Sequence, residues 1–237
     1  FGEDGGFCKI LEEKGISYIG SDAKTMELTI DKYKVEQLLQ QFKVATTHSM
    51  LVQGDSLTFN EMKTFPLFIK PVSQGSSVGL YKVENKDELQ KAVEEALPIY
   101  GPLLVQEYIA GREFTCGVLE VGGEMVAITP SEVVLTGAAV FDYSAKYSAG
   151  GAKEITPAEA DQVTLERVQS LAQQVHTLCG CKDISRTDMI MKENGELIVL
   201  EINTIPGMTS MSFVPVQMEI SGYTLTRFIE GMLQKYS

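Results

Sequence analysis

The most regular alternation of apolar and polar positions lies late in the chain, at residues 183–212, DISRTDMIMKENGELIVLEINTIPGMTSMS. Asn194 and Gly195 tolerate positive φ, so the pattern predicts two strands joined by a two-residue hairpin turn. In that register Glu193 faces Glu196, Met191 faces Ile198 and Met189 faces Leu200. With Ile202 these residues make an apolar face. On the other face Ile190 meets Val199, Asp188 meets Glu201, and Arg186 meets Asn203.

The other elements follow from periodicity and punctuation. Residues 7–14 read as a short amphipathic helix with Phe7, Ile10 and Leu11 inward and Gly15 ending it, followed by a strand at 16–19. Residues 31–42 read as a helix with Tyr33, Val35, Leu38, Leu39 and Phe42 near one face. Strands are expected at 67–70, 78–83 and 103–108. A helix capped by Asn85 with Glu88 should run to about Leu97. A hairpin is expected over 113–129 about Gly122-Gly123. Residues 135–151 read as a long loop of the kind that forms lids. Thr156-Pro157-Ala158-Glu159 looks like a helix start, with Val168, Leu171, Val175 and Leu178 as the buried stripe. A last helix covers about 223–234. This order of elements predicts an α+β fold with antiparallel sheets, not a series of βαβ units.

With 237 residues, 44% of them hydrophobic, the chain can bury a substantial core. A net charge of −12 argues against nucleic acid or an anionic membrane surface as partner. No apolar run is long enough to span a bilayer, and no signal-peptide pattern is present. Cys8, Cys116, Cys179 and Cys181 fit reduced thiols of a cytosolic protein; the CGC spacing near His176 is not a usual zinc knuckle.

The polar end of the predicted hairpin is where chemistry is expected. Like charges facing each other across a ladder repel, so Asp188 opposite Glu201 needs a compensating cation. Asp188, Glu201 and Asn203 offer only oxygen donors, which suits a hard ion such as magnesium with phosphate oxygens and water completing its shell. The Pro206-Gly207 turn that follows puts backbone N–H groups beside that ion. An oxyanion donor there is worth roughly 3–4 kcal/mol in a transition state, and Arg186 can hold developing charge in the same place. The loop SQGSSVG at 73–79, between two strands, presents hydroxyls and N–H groups that can fold over phosphates. Lys32, Lys70 and Lys146 are the available cations. Neither G-x-x-x-x-G-K-[ST] nor a strand followed by G-x-G-x-x-G occurs.

Taken together, GEDG, IKPVSQGSSVG, EYIAGREFT, FDYSAKY, SRTDM and LEINTIPGMTSMS resemble the D-alanine–D-alanine ligases of the ATP-grasp superfamily, in order and over nearly the whole chain. The resemblance implies an ATP-grasp fold: two α+β subdomains, 23–110 and 111–237, with the nucleotide between their antiparallel sheets. Residues 1–22 would be a remnant of an N-terminal α/β substrate domain, and the reading expects more of that domain ahead of Phe1.

The reaction implied is ATP-dependent. One D-alanine carboxylate is phosphorylated, the amine of a second attacks the acyl phosphate, and D-alanyl-D-alanine, ADP and phosphate leave, for peptidoglycan precursors. By position, Lys32, Lys70, Ser76 and Ser77 would hold phosphates, with Lys146 at the γ-phosphate. Glu107, Tyr108 and Ile109 would line the adenine and Glu113 the ribose. Asp188, Glu201 and Asn203 would bind Mg2+, with Mn2+ as an alternative. Arg186 and Gly207 would stabilise the intermediate, and Ser76 and Tyr147 would link lids and orient substrate. Ser212 and Phe213 would meet the second substrate. Tyr147 suggests an amine acceptor. The alternatives are a D-alanyl-D-lactate or other carboxylate–amine ligase, or a nucleotide-binding fragment without turnover. A cytoplasmic homodimer is implied as well. Met211 departs from the family, which often has His there.

Overall fold

The computed structural model describes residues 2–54, 62, 64–75, 78–135 and 152–236. Ten described strands form two antiparallel sheets. The smaller has the order β1 (Ser49–Val52), β4 (Leu103–Glu107), β2 (Leu67–Pro71), β3 (Tyr81–Val83). The larger runs β10 (Leu197–Asn203), β9 (Ile184–Met191), β5 (Arg112–Val121), β7 (Ser131–Leu135), β8 (Ala152–Ile155), with β6 (Glu124–Ala127) paired to the far half of β5.

Each sheet has its own helix layer. Helix α4 (Lys86–Tyr100) turns Leu89, Ala92, Val93 and Ala96 onto Leu67, Ile69, Leu103 and Val105 of the smaller sheet. These positions recur at helical spacing, so one stripe does the burying. Asn85 caps α4 as expected, accepting the Glu88 N–H at 3.0 Å. On the larger sheet, α5 (Gln162–Cys179) packs Val168 and Ala172 on Phe114, Cys116 and Met189. Helix α3 (Lys32–Gln41) precedes the smaller sheet in sequence but joins this layer, with Val35 and Leu39 against Val175, Val199 and Ile202. Residues 44–47 run along the open edge of β10, where the Val199 N–H donates to the Ala45 carbonyl. The chain then enters the smaller sheet.

The β9–β10 hairpin departs from the expected register at its turn. The loop has three residues, not two. The Gly195 N–H donates to the Lys192 carbonyl and the Lys192 N–H to the Glu196 carbonyl, both at 2.9 Å, with Gly195 at φ 81°. A turn closed by a left-handed glycine accommodates strand twist at that length. Leu197 therefore faces Met191, Ile198 faces Ile190 and Val199 faces Met189, one place away from the expected pairs. An irregularity between Val199 and Glu201 absorbs the extra residue, so Glu201 lies opposite Asp188 and Asn203 opposite Arg186, as expected. A slip of one residue exchanges strand faces. Accordingly Leu197, Val199 and Ile202 look toward the helix layer, in place of Ile198, Leu200 and Ile202.

Other expectations change for local reasons. Residues 16–19 pair with no described strand, and Ile16 and Ile19 are exposed. Helix α1 (Gly6–Glu13) buries Cys8 and leaves Phe7 and Ile10 exposed. Helix α2 (Ala23–Ile30), unexpected from periodicity, is capped by Asp22 accepting the Thr25 N–H. Phe42 is exposed, whereas Glu36 on α3 is buried among Thr47 Oγ1, the Ser49 N–H and Gln40. Helix α5 starts at Gln162 with Asp161 as its cap; the Thr156 hydroxyl meets Ser131 instead. Helix α6 (Phe213–Ile220) was not legible, and α7 (Leu225–Tyr236) closes the chain.

Candidate active site

The alternation of β9 and β10 carries Arg186, Asp188, Glu201 and Asn203 to one side of the larger sheet, where they line a cleft of about 520 Å³. The cleft also takes in Glu113 and Thr115 from β5, Lys32 at the start of α3, and Gly207, Ser212 and Phe213 after β10. The polar end of the hairpin therefore faces a cleft.

Arg186 and Asp188 form its base. Nε donates to Asp188 Oδ1 at 2.9 Å and Nη2 to Oδ2 at 2.8 Å, a two-point clamp between residues two apart on one strand face. Thr115, directly opposite Asp188 on β5, adds a hydroxyl donation to Oδ1 at 2.5 Å. Burial opposes the charge on Arg186, but the Asp188 carboxylate, helped by Glu201 and Glu113, outweighs it and raises the guanidinium above its ordinary value. Arg186 is thus a permanent cation, with three N–H groups not used on Asp188. Its Cζ lies 5.8 Å from the centre of the Phe213 ring.

Lys32 closes the other side. Its side chain is mostly buried; Nζ donates to the Gln74 carbonyl at 2.5 Å and lies 3.9 Å from Glu201 Oε2. Its backbone N–H donates to Val72. Lys32 therefore ties the loop after β2 to the carboxylate on β10. Beyond β10, Asn203 Oδ1 accepts the Ile205 N–H at 2.8 Å and starts the turn. A Cβ on Gly207 would sit 2.8 Å from Ser212 Oγ, so a larger residue there would displace the Ser212 hydroxyl. Ser212 pairs its hydroxyl with Thr209 at 2.8 Å and stands at the head of α6. Met211 is 83% exposed.

The donor chemistry fits a hard divalent ion. Asp188, Glu201 and Asn203 present oxygens only. Asp188 Oδ1 already accepts two hydrogen bonds and Oδ2 one, so Oδ2 keeps capacity for a ligand bond. Among the described residues no group of three or more His, Cys, Asp or Glu is placed to hold a metal. An ion here would rest on two carboxylates, one amide and oxygens brought by a ligand.

Four expected residues lie elsewhere. Lys70, on β2 opposite Leu104, and Glu107, Tyr108 and Ile109, at the end of β4, are not among those lining this cleft. Tyr108 is half exposed; its N–H donates to the Pro66 carbonyl and its ring lies 5.8 Å from Phe68. Ser76, Ser77, Lys146 and Tyr147 lie outside the described residues. Two buried residues, one on the cleft and one behind it, escaped sequence reasoning. One is Thr115, legible only once β5 is known to pair with β9. The other is Gln217 on α6, whose amide bridges the Gly117 N–H, the Thr115 carbonyl and the Ser131 hydroxyl, each at 2.9 Å.

Comparison with known proteins gives this arrangement a family. A family model described as the C-terminus of D-Ala–D-Ala ligase matches residues 36–234. A D-alanine–D-alanine ligase of Leptospira interrogans is 34% identical over 98% of this chain and 69% of its own length. One of Sinorhizobium medicae is 34% identical over the whole chain and 78% of its own length. Among solved structures, the VanG D-Ala:D-Ser ligase of Enterococcus faecalis superposes with a TM-score of 0.87 at 33% identity, over all of this chain and 70% of that one. The ATP complex of a Bacillus anthracis D-alanine–D-alanine ligase gives 0.82 at 27% identity, over 99% and 76%. With the antiparallel sheets and the cleft on the larger one, these matches place the fold among the ATP-grasp ligases, and the chain belongs to the D-alanine–D-alanine ligase family.

Proposed function

We propose that this chain carries the ATP-binding and metal-binding part of an ADP-forming ligase that joins two D-alanines. The observation that carries the reading is the convergence of Arg186, Asp188, Glu201, Asn203 and Gly207 on one cleft in a chain of this family. A divalent ion, Mg2+ by its donor set, would be held by Asp188, Glu201 and Asn203 and would supply charge neutralisation of the nucleotide phosphates. Lys32 gives a second positive charge at that place and anchors the loop that leads into Ser76 and Ser77. Arg186 offers its remaining N–H groups to the oxygen that gains negative charge when an amine adds to an activated carboxyl. Gly207 lines the same cleft, and its backbone N–H is the second donor for that oxygen. Ser212 and Phe213, at the head of α6, stand where a second substrate's carboxylate would be met. Dimerisation and a cytoplasmic location accord with the family reading; among the described residues no helix is long and apolar enough to cross a membrane.

The test is ADP release by the full-length protein with ATP, Mg2+ and D-alanine, with the product identified by mass. D-alanine-dependent ADP together with the dipeptide is the expected result. ADP release only with D-serine or D-lactate as the second substrate would keep the chemistry and replace the acceptor, a reading favoured by the likeness to a D-Ala:D-Ser ligase. Nucleotide binding without substrate-dependent release would leave this chain a binding module.

A further inference from the structure

Asp188 is asked to do two things. It must hold Arg186 in place and still leave an oxygen free for an ion. A carboxylate gripped by one guanidinium alone can still rock about its Cβ–Cγ bond and change the lone pair it turns to the ion. In this structure a third group prevents that. Thr115 is buried, at 2% exposure, and its hydroxyl donates to Asp188 Oδ1, the oxygen that also accepts from Arg186 Nε. Both lone-pair positions of Oδ1 are then filled, and Oδ2, with one acceptance from Nη2, is left for the ion.

Thr115 is itself held from behind. It lies at the centre of the larger sheet, paired with Asp188 on β9 and with Ser131 on β7. Its carbonyl accepts from Gln217 Nε2, and the same amide takes the Gly117 N–H two residues on. Gln217 has no exposed surface, and one turn before it on α6 stands Phe213, against Arg186. The backbone that carries the hydroxyl is therefore held by strands on both sides and a helix above, so the donor approaches Asp188 from a set direction.

We propose that Thr115 is a positioning residue for the ligation reaction: its hydroxyl fixes the Asp188 carboxylate so that Oδ2 alone faces the metal and Arg186 keeps its remaining N–H groups for substrate. The proposal rests on the ligase reading above. Partners at this remove from a metal typically alter affinity or activity by roughly 10–100-fold when removed.

Thr115→Val keeps the shape of the side chain and removes the donor; Thr115→Ser keeps the donor. Both are made in the full-length protein. Three readouts are compared: Tm, binding of Mn2+ with ADP by electron paramagnetic resonance, and the dependence of kcat and of each KM on Mg2+. For Thr115→Val the expected result is Mn2+ affinity and the Mg2+ requirement both weakened by roughly 10-fold. Thr115→Ser returns to within about threefold of the parent. Native metal affinity in a folded Thr115→Val variant would overturn the proposal, as would a Thr115→Ser variant as weak as Thr115→Val. If Thr115→Val does not fold, Thr115→Ala against Thr115→Ser makes the same comparison. The ligase reading fails separately, by absence of metal–nucleotide binding in the parent protein.

Discussion

Asp183 and Asp188 stand five residues apart, one just before β9 and one within it, and both are buried beneath a cation. Their surroundings differ in one respect. Asp183 has no exposure and faces no described cleft: Lys235 Nζ, the Tyr236 hydroxyl and the Gly20 N–H each donate to it at 2.7 Å. Its partners come from α7 and from the segment before α2, so it ties both ends of the described chain to the larger sheet. Asp188 is gripped by as many hydrogen bonds, from Arg186 and Thr115, yet it lies on a cleft wall, where the capacity left on Oδ2 can be reached. Burial and charge are alike at the two places. A carboxylate sealed inside the protein is a fastening, and one that turns a lone pair toward a cavity is equipped to bind.

The largest effect that could break this comparison is at the open end. Arg186→Ala should lower kcat by about 10³-fold or more, equivalent to about 4 kcal/mol of transition-state stabilisation. The variant should remain folded by circular dichroism, because the cleft lets water reach Asp188. A kcat within tenfold of the parent would remove Arg186 from the chemistry and leave both aspartates as fastenings.

A change at the closed end should act on stability and leave the rate alone. Asp183→Ala leaves the Tyr236 hydroxyl and the Gly20 N–H without their acceptor and takes from the Lys235 ammonium one of its two carboxylates, Glu120 remaining. Since the Lys235 side chain is 42% exposed, water recovers part of the ion-pair loss. A cost of about 2–4 kcal/mol in urea unfolding is expected, with kcat of the folded protein within about twofold of the parent. A large loss of kcat without a loss of stability would join the two ends into one functional network.

The smallest effect is a dependence on pH. His176 lies beside the Asp183 fastening, with Nδ1 2.7 Å from Ser185 Oγ and Nε2 3.7 Å from Glu120 Oε1. Burial pushes its folded pKa below the ordinary 6.5, and Glu120 and Asp183, which pull it up, do not make good the difference. The unfolded chain therefore takes the proton first. The resulting stability is complete above about pH 6.5 and is lost as pH falls through the folded value. Tm should fall between pH 7 and pH 5, and His176→Gln should flatten that slope. Arg186 stays charged over the whole range. A slope unchanged in His176→Gln would put the titration elsewhere.

How far the sequence could be read follows from the range of the forces involved. The pairing of Asp188 with Glu201 and of Arg186 with Asn203 was legible, because period-two alternation is a local property of a strand. The turn was not. Asn194-Gly195 reads equally well as a two-residue turn or as the end of a three-residue one, and strand twist and packing of Leu197 and Val199 on the helix layer chose the second. The start of α5 moved for a similar reason. Thr156 had two uses for its hydroxyl, a cap or the Ser131 contact, and only β7 and β8 brought Ser131 near.

The chain's own pattern determined that this is an α+β protein with antiparallel sheets, where its strongest helices and strands lie, and which polar residues end the β9–β10 ladder. These depend on residues a few places apart, whose geometry the backbone dictates. The tertiary structure alone decided that α3 joins the larger sheet, that Thr115 and Gln217 stand behind Asp188, and that Asp183 is closed while Asp188 is open. Each of those brings together groups dozens of residues apart. Their meeting is set by which apolar faces bury against which, a choice made by the whole core and written in no single stretch of it.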